Sequence, residues 1–288
     1  MTSANPTEQK PAENGFAKFI GKFLGRGGEN IIFPALGFFA VLIVWSILAK
    51  MTEGNLSKLP TIEKTIQDSV PYLQNFFSTT TGDEGIFFLT LYSLGRVAVG
   101  FAIATIIAVP LGFWVGTSEK ASKGIMPLVQ VGKPISPLAW LPVGIVLFSS
   151  FENQDLPAVF VIVVTSLWST LINTALGVKE IPSDYWNVAR VLKMSKLQVV
   201  TEIIIPSTLP YIFSGLRLSL GTAWLVIVAA EMLTGGTGIG FFVWDVYNTG
   251  DISLVVFSLL VIGLVGLLLD QLVAWVERTL VGQTTAKG

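Results

Sequence analysis

Ionisable side chains inside long apolar stretches are the residues of this sequence best placed to do chemistry. Such side chains usually face the interior of a membrane protein or a water-filled path, where they pair with one another or meet an ion. Five of them fall within or near stretches long enough to span a bilayer: Arg96, Lys133, Arg217, Glu231 and Asp270. Their positions predict either internal ion pairs or an ion path through a membrane.

The depth of each residue in its apolar stretch limits the roles that its side chain can have. Arg217 and Asp270 lie towards the ends that basic residues flank, so they can reach water or pair with each other. Glu231 lies near the opposite end of its stretch, where it either caps a neighbouring helix or lines a vestibule. Arg96 is about ten residues, roughly 15 Å, into its stretch and too deep to reach water easily. It therefore meets either a buried partner or an anion.

A proline-rich segment, KPISPLAWLP at residues 133–142, interrupts the third apolar stretch. Its three prolines supply no backbone N–H, and the irregular backbone that they force is tolerated at membrane depth only inside protein or along a water-filled cavity. Freed backbone groups and nearby side chains could donate hydrogen bonds to a small anion; a kink absorbed by helix packing is the alternative. The predicted substrate path comprises Lys133, Ser136, Pro137 and Trp140, with Arg96, Arg217 and Glu231.

Composition excludes several kinds of chemistry. The 288 residues contain no Cys and no His, which removes disulfides, thiolate nucleophiles, imidazole bases and almost every zinc or haem site. No G-x-x-x-x-G-K-[ST] motif occurs, so the chain cannot bind ATP through a P-loop. A net charge of −1 gives no basic surface for nucleic acid. We therefore expect no catalytic residue, no metal site and no cofactor in this chain.

One long segment carries scattered basic charge between apolar stretches and predicts a hairpin of two short amphipathic helices. Ser183 would cap the first helix, with Asp184 in its first turn, and Ser195 would cap the second. Pro206 and Pro210 would end the second helix. The apolar side chains recur at helical spacing: Val188, Val191 and Leu192 in the first helix and Leu197, Val200, Ile203 and Ile204 in the second. Such a hairpin is either a docking element for a soluble partner or a loop lying on lipid headgroups.

The elements that position these residues are those of an integral membrane protein. Hydrophobic residues make up 52% of the chain and charged residues 13%, about half the charged share of a soluble protein. Six apolar stretches are long enough to span a bilayer: residues 31–48, 87–115, 125–148, 158–178, 211–233 and 252–276. The predicted fold class is an all-α membrane protein with six transmembrane helices.

Basic residues orient these spans. Lys and Arg occur before the first span, in the connections 2–3 and 4–5 and after the sixth span, whereas the connections 3–4 and 5–6 hold only Asp and Glu. The positive-inside rule therefore places the hairpin and both termini in the cytoplasm of a multi-pass protein. The segments that we predict are a disordered tail with a cytoplasmic interfacial amphipathic helix (1–30), the first span (31–49), an extracytoplasmic loop (50–85), a core of five spans (86–281) that includes the hairpin (182–210), and a cytoplasmic tail (282–288).

The hairpin resembles the coupling-loop signature of ATP-binding-cassette importer permeases, which is an EAA triplet, a Gly and then I-x-L-P. The matching residues are Ala189, Ile203 and Pro206, with Ile205 in place of Leu. The departures are Asn187 for the usual Glu, Val188 for the first Ala and Lys193 for the Gly. The resemblance implies docking into a cleft of an ATPase subunit through Asp184, Asn187, Val188, Ala189, Val191, Leu192, Lys193, Ile203 and Pro206.

From about residue 89 to 280 the sequence is similar to six-span permeases that import nitrate, sulfonates, taurine and bicarbonate. PISPLAWLP and AAEMLTGGTGIGFFVWDVYN most closely resemble the nitrate/nitrite and bicarbonate permeases of cyanobacterial type. The resemblance implies a type I importer permease fold in the inner membrane and import of a small inorganic anion by alternating access. Nitrate or nitrite is the expected cargo, and bicarbonate or an organic sulfonate is the alternative.

The same resemblance implies a set of partners. They are a second permease copy, two cytoplasmic subunits that bind and hydrolyse ATP, an extracytoplasmic substrate-binding protein and membrane lipid. Two functions of another class stay open. An ion-coupled secondary transporter would want internal repeats and a carboxylate relay, for which Glu231 alone is a poor candidate. A membrane enzyme would need a catalytic constellation, and the sequence offers none.

Overall fold

The structure is a computed structural model that describes residues 26–52, 59–80, 83–151 and 153–285. The chain divides into two compact units, Met1–Lys64 and Thr65–Gly288. The predicted interfacial helix before residue 25 and the polar tail that precedes it lie outside the described residues. The described part is almost wholly helical, which confirms the predicted all-α class.

The helices and strands follow one another in this order: α1 (Arg26–Met51), α2 (Ile62–Gln74), β1 (Thr79–Thr80), β2 (Asp83–Glu84), α3 (Ile86–Thr117), α4 (Glu119–Gly132), a 3₁₀ turn (Pro137–Trp140), α5 (Leu141–Leu147), α6 (Leu156–Lys179), α7 (Ser183–Val191), α8 (Lys196–Gln198), a π-helical segment (Val199–Ile204), α9 (Ile205–Thr234), α10 (Ile239–Asn248) and α11 (Ile252–Thr285). The two short strands pair antiparallel, with Thr79 opposite Glu84.

Five helical stretches among the described residues are long and apolar enough to span a membrane: Ile32–Met51, Ile86–Thr117, Leu156–Lys179, Lys196–Thr234 and Ile252–Val281. The third predicted span is not one long helix. It is divided into α4, the 3₁₀ turn and α5, because three prolines remove the N–H donors that a continuous helix would need. The break at these prolines is the one that the sequence predicts.

Close packing at glycines fixes the relative directions of α3 and α6. A Cβ atom on Gly100 would lie 2.6 Å from Ile162 Cγ2, and one on Gly116 would lie 2.5 Å from Val178 Cβ. Because the paired residue numbers rise together, α3 and α6 run parallel. Small residues let the two backbones approach closely. Such close van der Waals packing stabilises helix pairs in lipid, where the hydrophobic effect does not favour their association.

The helix α9 runs opposite to both α6 and α11. Gly215 of α9 packs on Thr170 of α6, and the hydroxyl groups of Thr170 and Ser219 share a 2.7 Å hydrogen bond. The Trp224 indole donates to the Ile262 carbonyl of α11 at 3.0 Å. Helices α3, α6 and α11 therefore point one way and α9 the other, as an alternation of spans across a membrane requires.

The local signals of the hairpin are partly correct. Ser195 caps α8, and it forms a capping box with Gln198. The predicted cap at Ser183 is wrong: Pro182 holds the N-cap position with φ −57° and Ser183 is already helical. The fixed φ of proline suits this entry to the helix.

The prediction that two prolines end the second hairpin helix is also wrong. Helical structure continues from Lys196 to Thr234. Pro206 lies in the first turn of α9, directly after the π-helical segment, and the change from π to α winding at this point accommodates the missing N–H. Pro210 lies inside α9, where neighbouring helices and side chains re-satisfy freed carbonyls in membrane proteins.

The contact between α3 and α6 gives the first testable prediction. A Cβ atom on Gly112 would lie 2.5 Å from Thr174 Cβ, whereas one on Gly95 of the same helix meets nothing within 4 Å. We expect Gly112→Ala to lower the free energy of unfolding by about 1–3 kcal/mol through overpacking. Gly95→Ala, the matched control, should be neutral or slightly stabilising. Thermal unfolding of the detergent-solubilised protein measures both; equal midpoints would contradict this packing.

Candidate functional site

The hairpin α7–α8 presents an apolar surface at its tip. The side chains of Val191, Leu192 and Leu197 are 80%, 67% and 73% exposed. Val188 and Tyr185 on α7 are also exposed. Several exposed apolar side chains on one short, partly basic hairpin are typical of an interaction site. We call these five residues the tip surface.

The opposite face of the hairpin fastens it to the end of α6. Ala189 of α7 and Ile203 of the π-helical segment are buried in a cluster with Val178 and Ile181. Of the predicted coupling residues, Ala189 and Ile203 therefore contact their own chain, and Pro206 is half-buried. The predicted residues with exposed side chains are Asp184, Asn187, Val188, Val191, Leu192 and Lys193.

The turn between α7 and α8 depends on a left-handed residue. Lys193 has φ +51°, a conformation that costs a non-glycine residue about 1–2 kcal/mol. The N–H of Met194 donates to the Ala189 carbonyl at 3.0 Å and so closes α7 at this residue. This geometry explains why a Gly is usual at the position in the coupling-loop pattern. A groove of about 580 Å³ beside the turn is lined by Trp186, Ala189, Arg190, Lys193, Met194 and Val199.

A buried ion cluster lies at the other end of α6. The Arg96 guanidinium donates through Nε to Asp155 Oδ1 at 2.6 Å and through Nη1 to Glu231 Oε1 at 2.6 Å. Nη1 also donates to the Thr237 carbonyl at 2.6 Å. The Glu231 side chain is only 2% exposed and that of Arg96 14%, whereas Asp155 is 49% exposed. Arg96 thus has a buried partner, which is one of the two outcomes that its depth predicts.

Glu231 also caps the N-terminus of α10. Its Oε2 accepts from the Ser93 hydroxyl at 2.8 Å and from the Gly240 N–H at 2.9 Å. The Ser93 oxygen in turn accepts from the Ile239 N–H at 3.1 Å. A carboxylate at a helix N-terminus is favourable because the free N–H groups and the helix dipole point at it. This cap holds the turn before α10.

The glycines of that turn provide space. A Cβ atom on Gly238 would overlap the Glu231 carboxylate, and one on Gly240 would overlap the Val228 carbonyl oxygen.

The end of the chain's helical bundle that holds Arg96, Asp155 and Glu231 is called the Arg96 end below. The end that carries the hairpin is called the hairpin end.

Arg217 and Asp270 pair with each other near the hairpin end. Arg217 Nη2 donates to Asp270 Oδ2 at 2.5 Å, and Nε donates to Oδ1. Their side chains are 43% and 45% exposed, so the pair joins α9 to α11 at the surface of the single chain. Their positions predict either contact with water or pairing with each other, and the structure shows the pairing.

The break in the third span lies between these two ends. Lys133 and Ser136 are exposed, Pro137 and Trp140 are half-buried, and the Trp140 Nε1 atom is buried with no acceptor among the described residues. The predicted substrate-path residues therefore do not form a single cluster. Arg96 and Glu231 lie at one end, Arg217 lies at the other, and the break lies between. Within the described part of the chain, no three carboxylates gather as a metal site would require.

Sequence reasoning missed two members of the ion cluster, Ser93 and Asp155. The signal for Asp155 was present: an arginine buried in a span needs a counter-charge, and few carboxylates lie at that end of the chain. Ser93 gave no such signal, because serine is common in the packing interfaces of membrane helices.

Replacement of one charge in the cluster tests its role. We expect Arg96→Met to lower the free energy of unfolding by about 3–5 kcal/mol, because Glu231 is left buried without its counter-charge. Adding Glu231→Gln to the Arg96→Met variant should recover part of that loss. Asp155→Asn, at a half-exposed site, should lower the free energy of unfolding less than Arg96→Met or Glu231→Gln does alone. Thermal unfolding in detergent of the wild type, the two single variants at 96 and 231 and their double variant forms a double-mutant cycle. Independent, additive effects of Arg96→Met and Glu231→Gln would contradict the pairing.

Comparisons with known proteins agree with this architecture. Residues 108–282 match the family model described as binding-protein-dependent transport system inner membrane component. The chain is 42% identical over 253 residues to the nitrate import permease protein NrtB of a Synechocystis strain, which covers 88% of this chain and 90% of that protein. It is 44% identical over 255 residues to the bicarbonate transport system permease protein CmpB of Synechococcus elongatus, covering 87% and 89%.

Solved structures show the same fold. A chain of the MetNI methionine ABC transporter in an inward-facing conformation superposes with a TM-score of 0.58 at 16% identity, and the match covers 67% of this chain and 95% of that one. The likeness supports the type I importer fold that the sequence predicts. Taken with the family match over more than half of its length, it shows that this chain belongs to the binding-protein-dependent inner membrane components, the permease subunits of ATP-binding-cassette importers.

Proposed function

We propose that this chain is the permease subunit of an ATP-driven importer that moves a small monovalent oxyanion, principally nitrate, into the cytoplasm. The hairpin is the observation that carries the proposal. A strongly exposed tip surface is presented between two membrane helices, and it is fastened to α6 through Ala189 and Ile203. Such a hairpin can transmit a push from a soluble partner to the helices that form the path.

The proposed partners follow from this arrangement and from the family. Two cytoplasmic subunits bind and hydrolyse ATP, and each receives one hairpin in a cleft. Two copies of the permease form the path between them, and a soluble binding protein delivers the anion at the Arg96 end. The hairpin end and both termini are then cytoplasmic, which is the orientation that the distribution of basic residues favours. The chain itself needs no catalytic residue.

In the proposed cycle, closure of the ATPase subunits on ATP moves the hairpins together and opens the path towards the binding protein. Hydrolysis releases the hairpins and reopens the path to the cytoplasm. The permease needs to hold its anion only weakly, because a tight site would trap it. Selectivity therefore resides mainly in the binding protein.

Nitrate is favoured as cargo by the relatives that are named as nitrate permeases. They include the Leptolyngbya laminosa protein NrtB, 38% identical over 279 residues, which covers 97% of this chain and 98% of that protein. Bicarbonate is the second candidate cargo, because proteins named as bicarbonate permeases reach 44% identity. Both ions are planar monovalent oxyanions, so one permease architecture suits either.

Uptake by the complete complex tests the proposal. Permease, ATPase subunits and binding protein are reconstituted in proteoliposomes, with the binding protein on one face and ATP on the other. We expect ATP-dependent nitrate accumulation that excess bicarbonate does not abolish. Accumulation of bicarbonate instead would move the cargo to the second candidate. Uptake driven by a proton or sodium gradient without ATP would contradict the proposed class of transporter.

A charge placed on the tip surface tests the coupling role. We expect Val191→Asp to abolish co-purification of the ATPase subunits, because a carboxylate would be desolvated in an apolar cleft. Membrane insertion and thermal stability of the permease should be unchanged, since Val191 is 80% exposed. Gly124→Asp is the matched control: it adds the same charge to α4 at a position where a Cβ atom meets nothing within 4 Å. Normal ATPase binding by the Val191→Asp variant would refute this role of the hairpin.

A further inference from the structure

The break in the third span lies halfway across the membrane, as its contacts with α6 show. Val129 of α4 packs with Leu171, a Cβ atom on Gly132 would lie 2.7 Å from the Trp168 ring, and one on Gly144 would lie 3.1 Å from the Pro157 carbonyl oxygen. Trp168 is near the middle of α6, which runs from Leu156 to Lys179. The segment 133–140 therefore lies alongside the central part of that helix.

The surface of this break cannot face lipid. Its backbone is irregular, and the residues from Lys133 to Ser136 and then Leu138 and Ala139 are exposed on the single chain. Lipid offers no hydrogen-bond partner to such a backbone, so irregular segments at this depth face a water-filled path or protein. About half of α6, roughly 16 Å, separates the level of Lys133 from the nearer end of that helix, so the lysine is too deep to reach the headgroups easily.

Lys133 carries a charge that no carboxylate in the described part of the chain neutralises. No Asp or Glu occurs between Lys120 and Phe151, nor anywhere in α6. Helix α9, which the 3₁₀ turn also contacts, has a single carboxylate, Glu231, and that one is bound to Arg96. Lys133 forms no ion pair with any residue that the structure describes. A lysine at mid-membrane is stabilised by a counter-charge or by polar groups, and no carboxylate that the structure describes supplies the counter-charge here.

The other groups at the break are hydrogen-bond donors. The Ser136 hydroxyl is exposed and has no partner among the described residues. The Trp140 ring packs against the central core, which fixes the end of the break, and its buried N–H has no acceptor in the described part. By contrast, Arg96 and Arg217 are already bound to carboxylates. The break is thus the part of the predicted path where an anion would not have to displace an internal partner.

We propose that the break is a transient anion site at mid-membrane, in which Lys133 supplies the counter-charge and Ser136 donates a hydrogen bond to a small monovalent oxyanion. The inference rests on the proposed function and adds the residues that the anion meets during passage. Lys133 and Ser136 act together because one charge and one hydroxyl offset part of the desolvation of the anion without holding it tightly.

Cysteine replacement tests the charge directly, since the chain has no cysteine of its own. In the reconstituted complex, Lys133→Cys should lower ATP-dependent uptake about tenfold, the effect of losing one hydrogen bond to a charged group. ATP hydrolysis stimulated by the loaded binding protein should persist. Modification with 2-aminoethyl methanethiosulfonate restores a positive charge and should restore uptake, whereas the neutral 2-hydroxyethyl reagent should not.

The matched control is Lys123→Cys on α4, the helix that ends just before Lys133; Lys123 is 76% exposed and paired with Glu119. It should transport normally before and after either reagent. Uptake by Lys133→Cys at the level of this control would overturn the inference. So would equal rescue by the neutral reagent, because the positive charge would then be irrelevant.

A binding measurement separates this inference from the proposed function. In the Ser136→Cys variant Lys133 is intact, and nitrate should slow the reaction of the thiol with the neutral methanethiosulfonate, which forms a mixed disulfide and releases methanesulfinate, relative to gluconate at equal ionic strength. Slower modification would support the site even if the wild-type complex failed to accumulate nitrate, a failure that would count against the proposed cargo alone. Equal modification rates in both anions would overturn the site even if the wild-type complex transports nitrate.

Discussion

The ion pair between Arg96 and Glu231 is the interaction on which the Arg96 end depends. One guanidinium joins α3 to the start of α6 through Asp155, to α9 through Glu231 and to the turn before α10 through the Thr237 carbonyl. Glu231 then uses its second oxygen to cap α10. Because each buried charge is strongly destabilising without its partner, these bonds form or break together, and they hold α10 against α3 and α9.

The two ends of the bundle differ in what they bury and what they expose. At the Arg96 end, Arg96 and Glu231 are largely buried and paired with each other. At the hairpin end the apolar side chains of the tip surface face outwards, and a single non-glycine residue in the left-handed conformation, Lys193, sets the angle between α7 and α8. Between them the break exposes an unpaired lysine. An internally paired Arg96 end, a polar break and a hairpin end with an exposed apolar surface are the arrangement expected of a permease that a separate ATPase drives.

Sequence reasoning predicted the fold and only part of the local geometry. Hydropathy predicts the apolar spans and the prolines predict the break, because both features depend only on the local sequence and on the demands of a lipid environment. The sequence indicates that the buried Arg96 needs a counter-charge, but only the packing of the helices identifies that partner as Asp155, 59 residues away. The cap at Pro182 and the continuation of α9 through Pro206 were mispredicted because propensity rules treat each residue alone, whereas a π-helical segment and tertiary contacts decided the outcome.

The orientation of the two ends across the membrane is the central claim that a single measurement tests most directly. Cells expressing Gly236→Cys or Val191→Cys would be treated with a membrane-impermeant maleimide before and after the membrane is opened; the wild-type chain, which has no cysteine, gives the background. The account predicts that the thiol at 236 reacts in intact cells and the thiol at 191 only in opened ones. Labelling of the thiol at 191 in intact cells would place the hairpin outside and contradict its role as the contact to ATPase subunits.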